Sequence, residues 1–177
     1  MRTLIAFGTK YGSTEKVAEV IADVLRSSGQ NVDVVDLRQT STKAVDDYDM
    51  VVVGSSIIVG GWSKGSKRFL EENCEILRNK KTALFVCCSN SFLRPDEKET
   101  QMNDFLKKVA ETHGLNPISL GLFGGEMDFE RYGFMVKAVL KKVGVNKELE
   151  DAGIDTSQRF DFRDWDDIKG WAAGLTH

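Results

Sequence analysis

Residues Met1 to Lys16 read MRTLIAFGTKYGSTEK, an apolar run that ends in a Gly/Thr/Ser turn and continues directly into an amphipathic stretch. A strand from Thr3 to Gly8 that passes within a few residues into a helix starting near Thr14 aims the helix N-terminus beyond the strand's carboxyl end. The first N–H groups of a helix have no intrahelical acceptor, and the helix dipole adds partial positive charge there. Thr9, Ser13 and Thr14 add hydroxyl donors, and Gly12 lets backbone come close to a ligand. This donor set suits a phosphate monoester held by neutral groups.

What the turn lacks excludes other phosphate ligands. A nucleoside triphosphatase loop needs Gly-Lys-Ser/Thr after four spacer residues; here Gly8 and Gly12 stand too close and no lysine follows Gly12. A dinucleotide fingerprint needs three glycines in GxGxxG spacing, and only these two are present. Asp36, at the end of the second strand, stands where a ribose-binding acid would, but strand ends collect Asp for turn formation. A phospho-receiver site needs carboxylates at the ends of strands one and three, where this chain has Gly8, Thr9, Ser55 and Ser56.

At 177 residues the chain reads as one domain, 1–177, with 41% hydrophobic and 29% charged residues as in soluble globular proteins. A net charge of −3 argues against nucleic-acid binding. No apolar run approaches the roughly 18 residues that span a bilayer, so stable membrane insertion is not expected. Met-Arg-Thr opens no signal peptide, and the expectation is a cytoplasmic protein. Three cysteines form no disulfide or metal framework. Cys87 and Cys88 are neighbours on a strand, face opposite ways, and read as small core residues.

Hydrophobic periodicity divides the rest into alternating elements. Helix one runs to about Ser28, with Val17, Val20, Ile21, Val24 and Leu25 on one face, and strand two spans Asn31 to Leu37. Strand three, Met50 to Gly54, is a continuous apolar run, as expected where both faces are covered. A Gly/Ser-rich loop, Ser55 to Lys64, precedes a helix from about Gly65 to Leu77; strand four is Thr82 to Cys88. A polar loop leads to a helix from about Asp96 to His113, then strand five, Ile118 to Phe123. An insertion, Gly124 to Gln158, contains an amphipathic helix near Phe134 to Val143; a short strand, Arg159 to Phe162, and a helix, Trp165 to Leu175, follow. Five βα units predict an α/β fold, a doubly wound parallel sheet with helices on both faces. Such sheets bind ligands beyond the carboxyl ends of their strands, here the loops Thr9–Thr14, Ser55–Gly61 and Ser89–Leu93. None holds a Cys, His, Asp or Glu, which suits a cofactor that brings its own chemistry.

The first loop, Thr9-Lys10-Tyr11-Gly12-Ser13-Thr14-Glu15, resembles the phosphate loop of the flavodoxin-like FMN proteins, departing only at Tyr11. Gly54-Ser55-Ser56-Ile57-Ile58-Val59-Gly60-Gly61 and Ser89-Asn90-Ser91-Phe92-Leu93 are similar to that family's second and third flavin loops. The resemblance covers essentially the whole chain. It implies a five-stranded sheet in the order 2-1-3-4-5, an insertion around strand five, and FMN as cofactor. Thr9, Tyr11, Gly12, Ser13 and Thr14 would hold the FMN phosphate, with Lys10 as the nearby cation and no arginine in the loop, which implies a low potential. Ser55, Ser56, Ile57, Ile58, Val59 and Gly60 would run along the flavin edge, and Ser89, Asn90, Ser91, Phe92 and Leu93 would cover its other face. The peptide expected to turn over on reduction is at Gly60-Gly61, and Phe92 and Trp62 are candidates for a stacking aromatic.

Within that family the chain resembles the menaquinone-dependent protoporphyrinogen oxidase branch, through Gly54 to Ile57, Arg94 to Lys98, Thr100-Gln101, Glu130-Arg131-Tyr132 and Asp164-Trp165. It departs where that branch's insertion is rich in Arg and aromatics, reading Gly124-Gly125-Glu126-Met127-Asp128-Phe129-Glu130. That acidity suits neither an anionic substrate nor an anionic membrane surface. The expectation is therefore a low-potential one-electron carrier that docks transiently with redox partner proteins, with a quinone-linked oxidase as the alternative. A nicotinamide-dependent quinone reductase lacks a visible nicotinamide motif. His113 reads as a helix C-terminal residue, Lys137, Lys141 and Lys142 as the solvated side of the insertion helix, and Asp161, Asp164, Asp166 and Asp167 as acids at a helix start.

Overall fold

The computed structural model describes residues 1–39, 44–89, 94–130, 133–142, 144–151, 153 and 159–176. Its parallel strands are β1 (Arg2–Gly8), β2 (Asn31–Asp36), β3 (Met50–Ile58), β5 (Lys81–Cys87) and β6 (Ser119–Phe123). They lie in the order β2-β1-β3-β5-β6, the same order as the expected 2-1-3-4-5, and a two-residue strand β4 (Gly61–Trp62) folds back on the end of β3. Two helices, α1 (Ser13–Ser27) and α2 (Lys64–Leu77), follow β1 and β4. After β5 the chain passes through α3 (Lys98–Met102), a π-helical segment (Asn103–Lys107) and α4 (Lys108–His113). The insertion contributes β7 (Glu126–Asp128), α5 (Phe134–Lys142) and α6 (Val145–Asp151); β8 (Arg159–Asp161) pairs antiparallel with β7, and α7 (Trp165–Gly174) ends the order.

Alternation along the buried strands feeds two cores, one on each face of the sheet. Ile5, Phe7, Val52, Phe85 and Cys87 join α1 and α7 residues such as Ile21, Leu25 and Ile168. Leu4, Ala6, Val51, Val53, Leu84 and Cys88 join Leu70 and Leu77 of α2 and Leu106 and Ala110 behind them. Cys87 and Cys88 thus face opposite cores, as the strand period requires. Each fully buried Leu, Ile or Phe contributes on the order of 1.5–3 kcal/mol, and both faces carry such residues, so the strands read as apolar runs.

Register carries the loops to one edge. Gly8 pairs with Ser55, Ser56 with Cys87, and Cys87 with Phe123, so β1, β3, β5 and β6 end side by side. Glycines permit the packing there. A Cβ on Gly54 would stand inside the Phe85 ring, which Phe123 and Trp171 hold at centroid distances of 6.0 and 6.1 Å. A Cβ on Gly8 would strike the Ser63 and Ser66 hydroxyls at the start of α2.

Three segments differ from the sequence reading. β3 does not end at Gly54 but continues to Ile58, and the expected Gly/Ser loop is instead a hairpin: Ile58 pairs with Gly61 and Ile57 with Trp62. The β-branched Ile57 and Ile58 favour an extended chain, and the two residues between the paired positions, Val59 and Gly60, have φ of 51° and 76°. Positive φ at both central residues is what a type I′ hairpin turn requires, and Val is an uncommon residue to supply it. The helix after β5 carries the π segment, in which Trp62 Nε1 donates to the Phe105 carbonyl at 2.6 Å. The insertion also holds a second helix, α6, which the sequence does not announce because Asn146 to Asp151 carries one apolar residue, Leu149, and no apolar stripe.

Two stability measurements follow. In urea unfolding, Gly54→Ala should lower stability by about 1–3 kcal/mol with an unchanged m-value, since the Phe85 ring has no room to move. Val59→Asn should raise stability by about 1 kcal/mol, because Asn accepts the left-handed conformation that a β-branched residue resists.

Candidate functional site

The β1–α1 turn is organised by its own polar groups. Thr9, 3% exposed, accepts the Gly12 N–H on Oγ1 at 3.0 Å and closes the turn. Gly12 stands at the N-cap of α1 with φ of 91°, and no side chain caps the helix. The other long helices are treated differently. Ser63 Oγ accepts from Ser66 N–H at the start of α2, and Asp164 Oδ1 accepts from Asp166 and Asp167 N–H at the start of α7. The amides at the start of α1 are therefore left for a ligand or solvent. Thr14 is fully buried, with its Oγ1 against the Cys87 thiol. Lys10 is exposed with Nζ 5.4 Å from the Tyr11 ring centroid, and Tyr11, Gly12 and Ser13 are half-buried.

An arginine absent from the loop's own sequence reaches the turn from behind. Arg163, its side chain 1% exposed, donates through Nη1 to the Ser13 carbonyl at 3.0 Å. The same guanidinium holds Asp161 through Nε at 2.6 Å and Nη2 at 2.7 Å, and Glu126 through Nη2 at 2.8 Å. Its face lies 4.6 Å from the Trp165 ring centroid. Glu126 also pairs with Arg159 at 2.6 Å. A buried arginine needs this many partners, because an unpaired charge at that depth would cost several kcal/mol. The Asp161-x-Arg163 spacing was the visible signal, since residues two apart on an extended chain face the same side. The partner on the turn is 150 residues away and was not readable.

The insertion's acidity changes meaning accordingly. Glu126, read from sequence as part of an acidic loop, is nearly buried and neutralised by Arg159 and Arg163. Gly124 and Gly125 make this docking possible: a Cβ on Gly124 would strike the Phe162 carbonyl, and one on Gly125 the Ser89 hydroxyl. Burial opposes ionisation of Asp161, but the hydrogen bonds and charge of Arg163 outweigh it and hold the carboxyl below its ordinary 3.8. Burial drives the Cys87 thiol up to about 12, against the pull of the Thr14 hydroxyl and the Arg163 charge, so it stays an uncharged thiol.

Beside the turn, the second loop is the β3–β4 hairpin. Ser55 is fully buried, accepts the Ser63 N–H at 2.9 Å and donates to the Ser56 carbonyl, so its side chain serves the hairpin itself. Ser56 is 7% exposed and its hydroxyl has no partner. Ile57 and Ile58 are half-buried, and Val59, 68% exposed, and Gly60 form the tip. Of the third loop, Ser89 is half-buried against Gly125, while Asn90, Ser91, Phe92 and Leu93 lie outside the described residues. Trp62, expected as a stacking aromatic, is 6% exposed in the α2-side core and spends its N–H on Phe105. The structure thus brings Thr9–Thr14, Ser56–Gly60 and Ser89 to one edge and sets Ser55 and Trp62 behind it.

The other candidates are structural. Asp36 is tied to Arg38 by paired hydrogen bonds. His113 ends α4 before Gly114, whose φ of 65° closes the helix. Asp164 caps α7. No metal cluster exists among the described residues, and none of the described helices is long and apolar enough to cross a membrane.

The lowered Asp161 carboxyl makes a pH prediction. Its contribution to stability is fully present above the ordinary carboxylate range and is lost as pH falls below it. Wild type should exceed Asp161→Asn in stability at pH 6 by urea unfolding. The two should converge as pH falls from about 4 toward 2.

Comparisons with known proteins agree with this architecture. Protoporphyrinogen IX dehydrogenase [quinone] of Escherichia coli (strain K12) is 26% identical over 182 residues, spanning 100% of this chain and 96% of the relative. The solved Streptococcus pneumonia TIGR4 flavodoxin superposes with a TM-score of 0.53 at 22% identity, covering 69% of this chain and 83% of that one. A flavoprotein in complex with FMN from Lactobacillus acidophilus NCFM superposes with a TM-score of 0.52 at 17% identity, covering 68% and 92%. The flavodoxin domain family matches residues 4–152, from β1 through the insertion helices, and the chain belongs to that family.

Proposed function

We propose that the protein is an FMN-binding flavoprotein that carries electrons one at a time between redox enzymes. The observation that carries the reading is the start of α1, a helix N-terminus without a side-chain cap at the edge where β1 and β3 end together. The donors fit a phosphate monoester: amides of the turn, the Thr9 and Ser13 hydroxyls, and the left-handed Gly12 that keeps side-chain bulk away. A buried hydroxyl without a partner, that of Ser56, stands at the same edge. FMN would supply the redox chemistry, as suits three loops whose sequences hold no Cys, His, Asp or Glu. The solved flavoprotein bound to FMN shares the fold and supports the choice of cofactor.

In this reading the chain's residues bind and orient. The turn Thr9–Thr14 holds the phosphate; the hairpin Ser56–Gly60 runs along the ring edge; Ser89 opens the third loop. The exposed tip at Val59-Gly60 leaves an approach for a redox partner. Positive φ at both Val59 and Gly60 supports reading their shared peptide, rather than Gly60-Gly61, as the one able to turn over. Asp166 and Asp167 remain exposed for transient docking by charge, whereas Glu126 and Asp161 are occupied internally. Cytoplasmic location and an exchange of partners without stable membrane insertion accompany this reading.

A second reading, quinone-linked dehydrogenation, is favoured by one observation: the likeness to the Escherichia coli dehydrogenase runs the whole chain, insertion included. Voltammetry of FMN-reconstituted protein separates the two. The carrier reading expects two resolved one-electron waves, the second at low potential, and no turnover with quinones. A single two-electron wave with rapid reoxidation by a soluble menaquinone analogue would support the dehydrogenase.

The phosphate site has its own test. Ser13→Ala with Thr14→Ala should weaken FMN binding by about 2–4 kcal/mol, at roughly 1.5–3 for each charge-assisted bond and imperfect additivity. Flavin fluorescence quenching reads the change, and unaltered affinity would remove the turn from the site.

A further inference from the structure

Arg163 is more than a brace for the insertion. It lies buried behind the turn, within hydrogen-bond reach of Asp161, Glu126 and one backbone carbonyl of α1, that of Ser13. That carbonyl belongs to the peptide whose N–H is Thr14's. In a trans peptide the C=O and N–H point in opposite directions, and no cis bond occurs among the described residues. Helix geometry points the Ser13 carbonyl down the axis and the Thr14 N–H toward the open N-terminal face, and the Arg163 guanidinium on that carbonyl holds the peptide in this orientation. A cation on the carbonyl also polarises the peptide and strengthens its N–H as a donor.

We propose that Arg163 is a positioning residue for the phosphate site: through the Ser13 carbonyl it orients and polarises the Ser13–Thr14 peptide, whose N–H receives the phosphate. This rests on the turn holding a flavin phosphate. Arg163 makes no contact with the ligand in this arrangement. Asp161 and Glu126 balance its charge, and Arg159 shares Glu126, so the four groups sum to zero formal charge. The site thereby gains a stronger donor without an exposed cation. The arrangement also ties the insertion to the phosphate site, since Glu126 of β7 and Asp161 of β8 hold the guanidinium from both strands.

The test compares FMN with riboflavin, which has the same ring and no phosphate. Affinities of full-length wild type, Arg163→Met and Arg163→Lys are measured for both by fluorescence quenching. A purely structural role would weaken both ligands alike. The proposal expects Arg163→Met to lower the preference for FMN by about tenfold, as the Thr14 N–H loses its positioning and polarisation, with riboflavin affinity within about twofold of wild type. Arg163→Lys, which keeps the charge but not the fork, should retain part of the preference. If Arg163→Met does not fold, Arg163→Lys decides alone: a preference lowered several-fold supports the proposal. A preference unchanged in the folded variants, or riboflavin affinity falling as far as FMN affinity, overturns it while leaving the phosphate site standing. Wild type that binds FMN no better than riboflavin overturns the phosphate site and this proposal with it.

Discussion

The backbone N–H groups at the start of α1 set the terms for the rest of the molecule. A helix that begins immediately after a buried parallel strand must present its first amides at the strand's carboxyl edge, and something must receive their hydrogen bonds. Where the chain needs a closed helix start it builds one, with Ser63 at α2 and Asp164 at α7. At α1 it places Gly12 in the left-handed region, uses the Thr9 hydroxyl to shape the turn rather than to cap the helix, and leaves the amides facing outward.

The neighbouring elements are built around that edge. Parallel register brings Gly8, Ser55 and Val86 level, and glycines at 8 and 54 let α2 and the Phe85 cluster close up beneath. The hairpin after β3 is anchored from below by Ser55 and Ser63 and from the side by the Trp62 indole on the π segment. A π segment releases a carbonyl from the regular ladder, and here Trp62 takes up the carbonyl of Phe105. The anchors fix the base of the hairpin and leave its tip, with Val59 at positive φ, as the strained and exposed part. Behind the turn, the ionic cluster of Arg163 closes the third side.

Much of this was legible in the sequence. The two-sided burial of β3 and β5 and the opposed cysteines follow from period and alternation, which are local, and the three-loop edge follows from the succession of βα units; the strand order came from the resemblance of the loops to the flavodoxin-like proteins. Three features were not. The hairpin was hidden because Val-Gly is an unusual turn pair; an Asn-Gly there would have announced it. The role of Trp62 depended on a carbonyl 43 residues away, and that of Arg163 on one 150 residues away. Charge was misread for the same reason. Glu126 counts as acidic in a running sum, yet its partners are Arg159 of β8 and Arg163 just beyond it, so its charge is spent inside the fold.

The most direct measurement of the central claim is an amide-resolved NMR titration of the protein with FMN. The account predicts that the largest shifts fall on the N–H groups of Gly12, Ser13 and Thr14, with a second set along Ser56 to Gly60, and that riboflavin reproduces only the second set. Binding that leaves the Gly12–Thr14 amides unmoved would contradict it.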